Sequence, residues 1–553
     1  MTASMAGADP RRWITLAITT VTVVIISLDS TVLNVAIPTI LKDFGTTLPS
    51  LQWVITGYAL VFASLLIIGG RLGDLYGHRK IFAIGAAFFG VGSLIAAVSQ
   101  NVPQLVIGES VIEGIGASMM MPSSLAILSN TFVGRERATA FGVWAAVGGA
   151  GGALGPVIGG FLTSNYSWRW SFGINVIITP LAIIGAIIFM PASKSSAQRK
   201  PLDLPGAFLI AAGMGILVLG LSEGSAYGWF VPIKDVKIGS TNLWPSSRPF
   251  SLVLVAFVIA AVILTSFYRL ERRKERNDRS PLFEFSQLRL RGFRYGLLVV
   301  VVMGAGQLTI SFVLPVFLQE GRHLSAQLNG LWQLPAGLFF LVGAQIGSRL
   351  ARHMRLVAIA RIGLAMGSIA FLYVSIVIGS GLTFFTLLPG LMVYGIGFGL
   401  ANSTLTNIIL SEVERERSGA ASGATATSRQ MGTSIGVAVV GSLLTATTII
   451  KAIAKVGSSP DLSPSVKAAA TGLIRSGGVT FVPPKGSSPA DVATLHRLFV
   501  NALAGGARVP LIFASCATAT ALLISLLLPR GTHPRTTIRP ADALEESIGL
   551  LID

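Results

Sequence analysis

The chain alternates long apolar stretches with short polar connections. About fourteen of these stretches are near 20 residues long, enough helix to cross a hydrocarbon core of roughly 30 Å. A backbone in lipid has to satisfy its own hydrogen bonds, so stretches of this kind are read as membrane-spanning helices. Composition agrees, since 52% of the 553 residues are hydrophobic, only 12% are charged, and the mean hydropathy is +0.72. No soluble chain of this length reads that way. The first stretch, Trp13 to Pro38, follows Arg11 and Arg12. It is too long for a cleaved secretory signal, carries Asp29 and lacks a small-residue cleavage site, so an uncleaved first helix is expected.

A net charge of +18 would by itself suggest nucleic acid, but the distribution of that charge says otherwise. Lys194, Arg199 and Lys200 follow the sixth span, Arg272, Arg273, Lys274 and Arg276 the eighth, and Arg349, Arg352 and Arg355 the tenth. All fall inside if the N-terminus is inside, so they report topology. No basic domain with interleaved aromatics stands outside the spans, and nucleic-acid binding is not expected. Cys516, the one cysteine, lies in the last apolar stretch and can form no internal disulfide. The chain shows no P-loop, no nucleophile elbow with partners and no clustered Cys or His ligands. No enzyme, metal site, cofactor or ATP-driven pump is therefore expected.

The run GRLGDLYGHRK, Gly70 to Lys80, joins two apolar stretches. Gly70 and Gly73 let one helix end approach a neighbour closely, and Asp74 is placed to face a helix terminus. Gly77 belongs to the tight turn, while Arg79 and Lys80 stay in water beside anionic lipid. The chain also contains its own repeat: Gly142, Gly151, Gly155 and Gly160 recur 281 positions later as Gly423, Gly432, Gly436 and Gly441. The same shift carries Gly114, Ile115 and Gly116 onto Gly395, Ile396 and Gly397, and Arg135, Glu136 and Arg137 reappear one residue out of step as Arg415, Glu416 and Arg417. Two similar six-helix bundles follow, with a substrate path between them.

Because a shift of 281 exceeds one six-helix unit, two further helices are expected between the bundles, about Leu202 to Glu223 and Phe250 to Tyr268. The layout is a cytoplasmic N-terminus (1–12), a first bundle (13–190), two inserted helices (191–268) with an external loop (224–249), a basic cytoplasmic linker (269–293), a second bundle (294–528) with a long external loop (451–500), and a cytoplasmic tail (529–553). The two external segments read as irregular, either shielding the outer mouth or standing as tolerated insertions.

In the fifth span, Gly142, Gly151, Gly155, Gly159 and Gly160 form a spaced array around Pro156. Small residues one turn apart give a face for close helix packing, and the proline removes a donor and bends the rod. The turn at Gly70–Lys80 resembles the signature loop of major facilitator transporters, and the array resembles the fifth-helix motif of drug:proton antiporters in that superfamily. LDSTVLNVAIP (Leu28 to Pro38), WRWSFGIN (Trp168 to Asn175) and SRQMGTSIGVA (Ser428 to Ala438) narrow the resemblance to the fourteen-helix drug:proton antiporter group, over nearly the whole chain. The resemblance implies an all-α major facilitator fold in an inner membrane, two six-helix bundles plus two helices, 14 spans with both termini cytoplasmic, and a bacterial source. Four positions depart from the group. Leu75 and His78 stand where many members are basic, Ser110 where arginine is usual, and Glu113 where glutamine is common.

Asp29, Glu109 and Glu113 are acids inside apolar spans, and such groups need an explanation. Counting about 1.5 Å per residue puts Asp29 and Glu113 at similar depths, where they face each other if the first and fourth helices pack as in the group. Together they are candidates to carry a shared proton, with Glu109 one turn away either relaying protons or simply hydrated at the interface. Arg429 is either a counter-charge or substrate contact, or an inward-snorkelling structural cation. Asn34, Met120, Trp144, Phe312 and Trp332 are candidates to line an adaptable pocket. The expected function is proton-coupled export of amphipathic or hydrophobic small molecules by a monomer in the bilayer. The alternatives are a dedicated exporter of one endogenous lipid or antibiotic-like product, and a non-transporting sensor or scaffold.

Overall fold

The computed structural model describes residues 11–46, 48–132, 134–191, 203–238, 241–277, 281–322, 324–379, 381–413, 418–477, 481, 483–484 and 487–529. The N-terminus through residue 10, Lys194, Arg199, Lys200, Arg415 to Arg417 and the tail beyond Pro529 lie outside them, as do the side chains of Asn34 and Pro156.

The first bundle begins with α1 (Arg11–Phe44), α2 (Leu48–Tyr76) and α3 (His78–Ala97). The fourth span is composite: a short α4 (Val102–Leu105) runs through a π-helical segment (Val106–Glu113) into α5 (Gly114–Thr131). Asn101 starts it, its side chain accepting from the Gln104 amide at 3.0 Å. The bundle closes with α6 (Gly134–Asn165) and α7 (Trp170–Phe189). Between the bundles stand α8 (Leu204–Tyr227) and α9 (Leu252–Arg276), joined through a small antiparallel hairpin of β1 (Val236–Ile238) and β2 (Thr241–Trp244). The segment expected to be irregular thus contains a strand pair, and the basic run Arg272 to Arg276 rides on the last turns of α9 rather than following it.

The second bundle comprises α10 (Arg291–Gln307), α11 (Thr309–Val316), α12 (Ala326–Leu350), α13 (Leu356–Val377), α14 (Phe384–Ser411) and α15 (Ser418–Ser458), then α16 (Pro464–Gly477) and α17 (Pro489–Ser525). Much of the long segment 451–500 is therefore helical. α15 runs on to Ser458, α17 starts at Pro489, and α16 packs its apolar side into a small core with Val456, Leu462, Ala470 and Leu495. The expectation of an irregular loop fails because polar composition hides an amphipathic helix and two helix extensions.

Thirteen helical stretches among the described residues are long and apolar enough to cross a membrane. Their apolar residues face outward as well as inward, as lipid requires; α7 alone exposes Ile177, Leu181, Ile184, Ile187 and Ile188. The glycine-rich α6, 32 residues long, is long enough but is not among the thirteen. It packs against α1 in its own bundle and against α12 and α14 in the other, while α15 packs against α10 and, across the bundles, against α2 and α5.

The repeat found in the sequence is therefore a repeat of contacts. Gly151 and Gly159 lie on α1, where a Cβ would come 3.2 Å from Ser27 Cβ and 2.8 Å from Val32 Cγ1, and Gly432 and Gly436 abut Val301 and Ala305 of α10 in the same way. Gly142 crosses instead to Ala344 and Ser348 of α12, and its repeat Gly423 crosses to Leu66 and Ile67 of α2. Gly155 and Gly160 are buried. The array thus serves mainly packing within the bundle, and its first glycine serves the seam between bundles.

Candidate functional site

Helices of the first bundle converge on one acidic cluster. Asp29 comes from the middle of α1, and Glu109 and Glu113 come from the π-helical segment, a wide i→i+5 turn of a kind frequent at functional sites. One oxygen of each acid lies within 4.8 Å of the others, and the three residues are 3%, 1% and 0% exposed. Glu109 is therefore not a hydrated interfacial group but a member of the cluster. Removing a carboxylate from water costs several kcal/mol unless it is paired, and no ion pair to these three occurs among the described residues.

The hydrogen bonds present are few and specific. Ser93 on α3 donates to Glu113 Oε1. Asn175 on α7 donates from Nδ2 to Asp29 Oδ1 at 3.1 Å and to Glu113 Oε1 at 3.3 Å. Asp29 Oδ2, Glu109 Oε2 and Glu113 Oε2 are buried with no partner, as is the hydroxyl of Tyr58, which reaches the cluster from α2 and interacts electrostatically with all three acids. Such a site can hold and exchange protons, or take up a cation. Nothing in the sequence pattern marks Ser93 or Tyr58, whereas Asn175, an asparagine inside an apolar span, is itself a signal that a buried partner exists.

Several expected residues stand elsewhere. Ser110 turns to α2, donating to Val54 O at 2.7 Å, and a Cβ on Gly57 would lie 2.9 Å from Ser110 Cβ. An arginine at position 110 has no room in this packing, so the reason for its absence is steric. Arg429 is no counter-charge to the acids, since its guanidinium bonds Asn402 Oδ1 and, at 3.4 Å, Thr406 Oγ1 on α14. Of the candidate pocket residues, Met120 is fully buried with Tyr58 and Phe62, Trp144 is buried in the large core, and Phe312 and Trp332 are half-buried against that core. Trp168 is buried, with its indole donating to Asp43 at 2.9 Å and Arg169 4.4 Å over its ring.

The turn at Gly70–Lys80 fastens the two bundles together. Asp74 accepts at 2.9 Å from Gly419 N and at 2.9 Å from Ala420 N, the free amides at the start of α15, where the helix dipole favours a negative charge. Gly70 backs directly onto Gly419 and Gly423, and Gly77, at φ 95°, makes the turn that L side chains resist. His78 is buried with Nε2 3.3 Å from Asp74, in space that Gly73 leaves open. Arg79 donates to Met190 O at 3.1 Å, capping α7, and Lys80 is exposed. A second contact lies alongside, Arg137 donating to Leu410 O at 2.9 Å at the end of α14.

Residues 19–437 match the family model of the Major Facilitator Superfamily. The chain belongs to the Major Facilitator Superfamily. It is 33% identical over 452 residues to a probable actinorhodin transporter of Streptomyces coelicolor, covering 79% of this chain and 74% of that one. It is 31% identical over 466 residues to a puromycin resistance protein of Streptomyces alboniger, covering 83% and 86%. In three dimensions it is similar to the crystal structure of a human organic anion transporter, with a TM-score of 0.58 at 14% identity over 94% of this chain and 100% of that one, a likeness of fold. This member of the superfamily is a multi-pass membrane protein and a secondary efflux transporter.

Proposed function

We propose that this transporter exchanges protons for amphipathic or hydrophobic compounds by alternating access, with Asp29, Glu109 and Glu113 as the proton-carrying groups. The observation that carries this reading is the buried cluster of acids with unpartnered oxygens and, among the described residues, no ion-pair partner. Uncompensated, three charges could not remain there, so protons or a cationic cargo must enter and leave with the cycle. The turn at Gly70–Lys80 and the Arg137 contact are its cytoplasmic latch: the bundle end that carries them is rich in Arg and Lys, as a cytoplasmic face is. We count α6 as the fourteenth span, because it is long enough and sits between the two bundles.

Relatives named as a probable actinorhodin transporter and a puromycin resistance protein point to antibiotic-like cargo. In everted vesicles, wild-type protein is expected to accumulate such compounds only with an imposed pH gradient, and Asp29→Asn to insert normally but lose gradient-driven transport. Full transport by Asp29→Asn sinks the assignment. Transport confined to one compound of a broad panel marks the dedicated exporter instead.

A further inference from the structure

We infer that Asn175 is a positioning residue for proton coupling, holding Asp29 and Glu113 as one unit and easing proton release from the pair. This rests on the reading of the acidic cluster as the coupling site. Asn175 is the side-chain amide that donates to both acids, and it is 4% exposed. Asp29 and Glu113 come from separate helices, α1 and the π-helical segment, so no local backbone geometry fixes the distance between them. An amide NH2 carries two N–H donors in one rigid plane and can serve two acceptors at once. Here Nδ2 engages Asp29 Oδ1 and Glu113 Oε1, and the other oxygen of each acid faces the cluster without a donor other than a shared carboxyl proton.

The helix that carries Asn175 is itself well placed. Thr179 Oγ1 donates back to Asn175 O at 2.8 Å, and Gly90 of α3 leaves the space that Thr179 fills, which seats α7 on α3 at this level. Glu113 Oε1 receives a second donor from Ser93 on α3. The titratable groups facing the pair are Glu109 from the same π-helical segment and Tyr58 from α2; α3 brings only the Ser93 hydroxyl. Donors favour the ionised form of a carboxyl. Removing the amide therefore does more than loosen packing: it makes proton release from both acids less favourable at a given pH.

The test is the pH profile of substrate-driven proton release by purified full-length protein in proteoliposomes, read beside substrate affinity. Asn175→Leu should move the release midpoint upward by about one pH unit, with substrate affinity changed less than twofold. Asn175→Ser, whose hydroxyl supplies one donor in place of two, should give an intermediate shift, and it is the variant to read if the leucine fails to fold. An unshifted midpoint in a folded variant of either kind overturns the inference. Asp29→Asn is measured alongside, and its retention of proton-coupled transport overturns the coupling reading itself, an outcome distinct from an unshifted Asn175 variant.

Discussion

The two bundles share one scaffold and divide the chemistry. The 281-residue register that superposes Gly114 to Gly116 on Gly395 to Gly397 also sets Glu113 against Tyr394 and Glu109 against Gly390. In the first bundle that position belongs to a cluster of acids with unpartnered oxygens. In the second it is an aromatic core: Tyr394 lies 4.8 Å from the ring of Phe398 and 5.5 Å from Phe371, with its hydroxyl donating to Gln307 O at 2.6 Å. The helix–helix contacts through glycine are alike in both halves, but the buried polar groups are not. Packing symmetry constrains only the small residues at the contacts, which leaves the interior of each bundle free to specialise.

If the difference is functional, matched substitutions should have unequal effects. The largest is expected at the acid: Glu113→Gln should lower gradient-driven efflux roughly 5- to 150-fold, the usual range of a lost coupling free energy, while Tyr394→Phe should leave efflux within about twofold and cost about 1 kcal/mol of stability for one hydrogen bond. Equal losses from both, measured in the same vesicles, would dissolve the contrast. Next comes the seam. Gly423→Leu forces a side chain into Leu66 and Ile67 of α2, and overpacking of about 1–3 kcal/mol should change the labelling of cysteines placed at the two ends of the transporter. Gly441→Ala meets only the Phe312 ring at 3.6 Å and should change nothing.

Smaller again is the latch. Asp74→Asn keeps the shape but gives up the charge at the start of α15, so about 1 kcal/mol should be lost from the state in which this end is closed. Cysteine accessibility at that end should rise accordingly, and an unaltered rate would mean that Asp74 holds nothing shut. The smallest effect is expected at Asp203, just ahead of α8. Burial alone would raise its pKa, but hydrogen bonds with Glu271, Lys274 and the Gly206 amide hold it below the usual carboxylate value. A depressed pKa contributes stability above the unfolded value that is lost as pH falls through the folded one. Asp203→Asn should therefore lower the melting temperature slightly at neutral pH and not at all in strong acid. A difference that persists in strong acid would assign the residue to packing.

Much of this organisation was legible in the chain. Long apolar stretches have one solution in lipid, so the helical, multi-pass fold follows from composition, and the glycine repeat marks its doubled character. The segment 451–500 was misjudged because amphipathic α16 and the extensions of α15 and α17 are not apolar enough to register as spans. Met120 has the chemistry of an adaptable lining, yet it is packed shut beside Tyr58 and Phe62. A thioether in a helix carries no sign of which neighbour will cover it. Arg429 was open to several roles, and only the position of Asn402 and Thr406 on α14 decided among them.

By itself the sequence determined the family, the doubled architecture and the presence of Asp29, Glu109 and Glu113 inside helices, because these depend on residue type and spacing along one chain. The tertiary structure decided which acids meet and what touches them. Asn175 lies 146 positions from Asp29 and 62 from Glu113, and Asp74 reaches Gly419 across 345. Contacts at such separations are fixed by how helices rotate and slide against one another. That depends on the summed packing of many side chains, which no local pattern records.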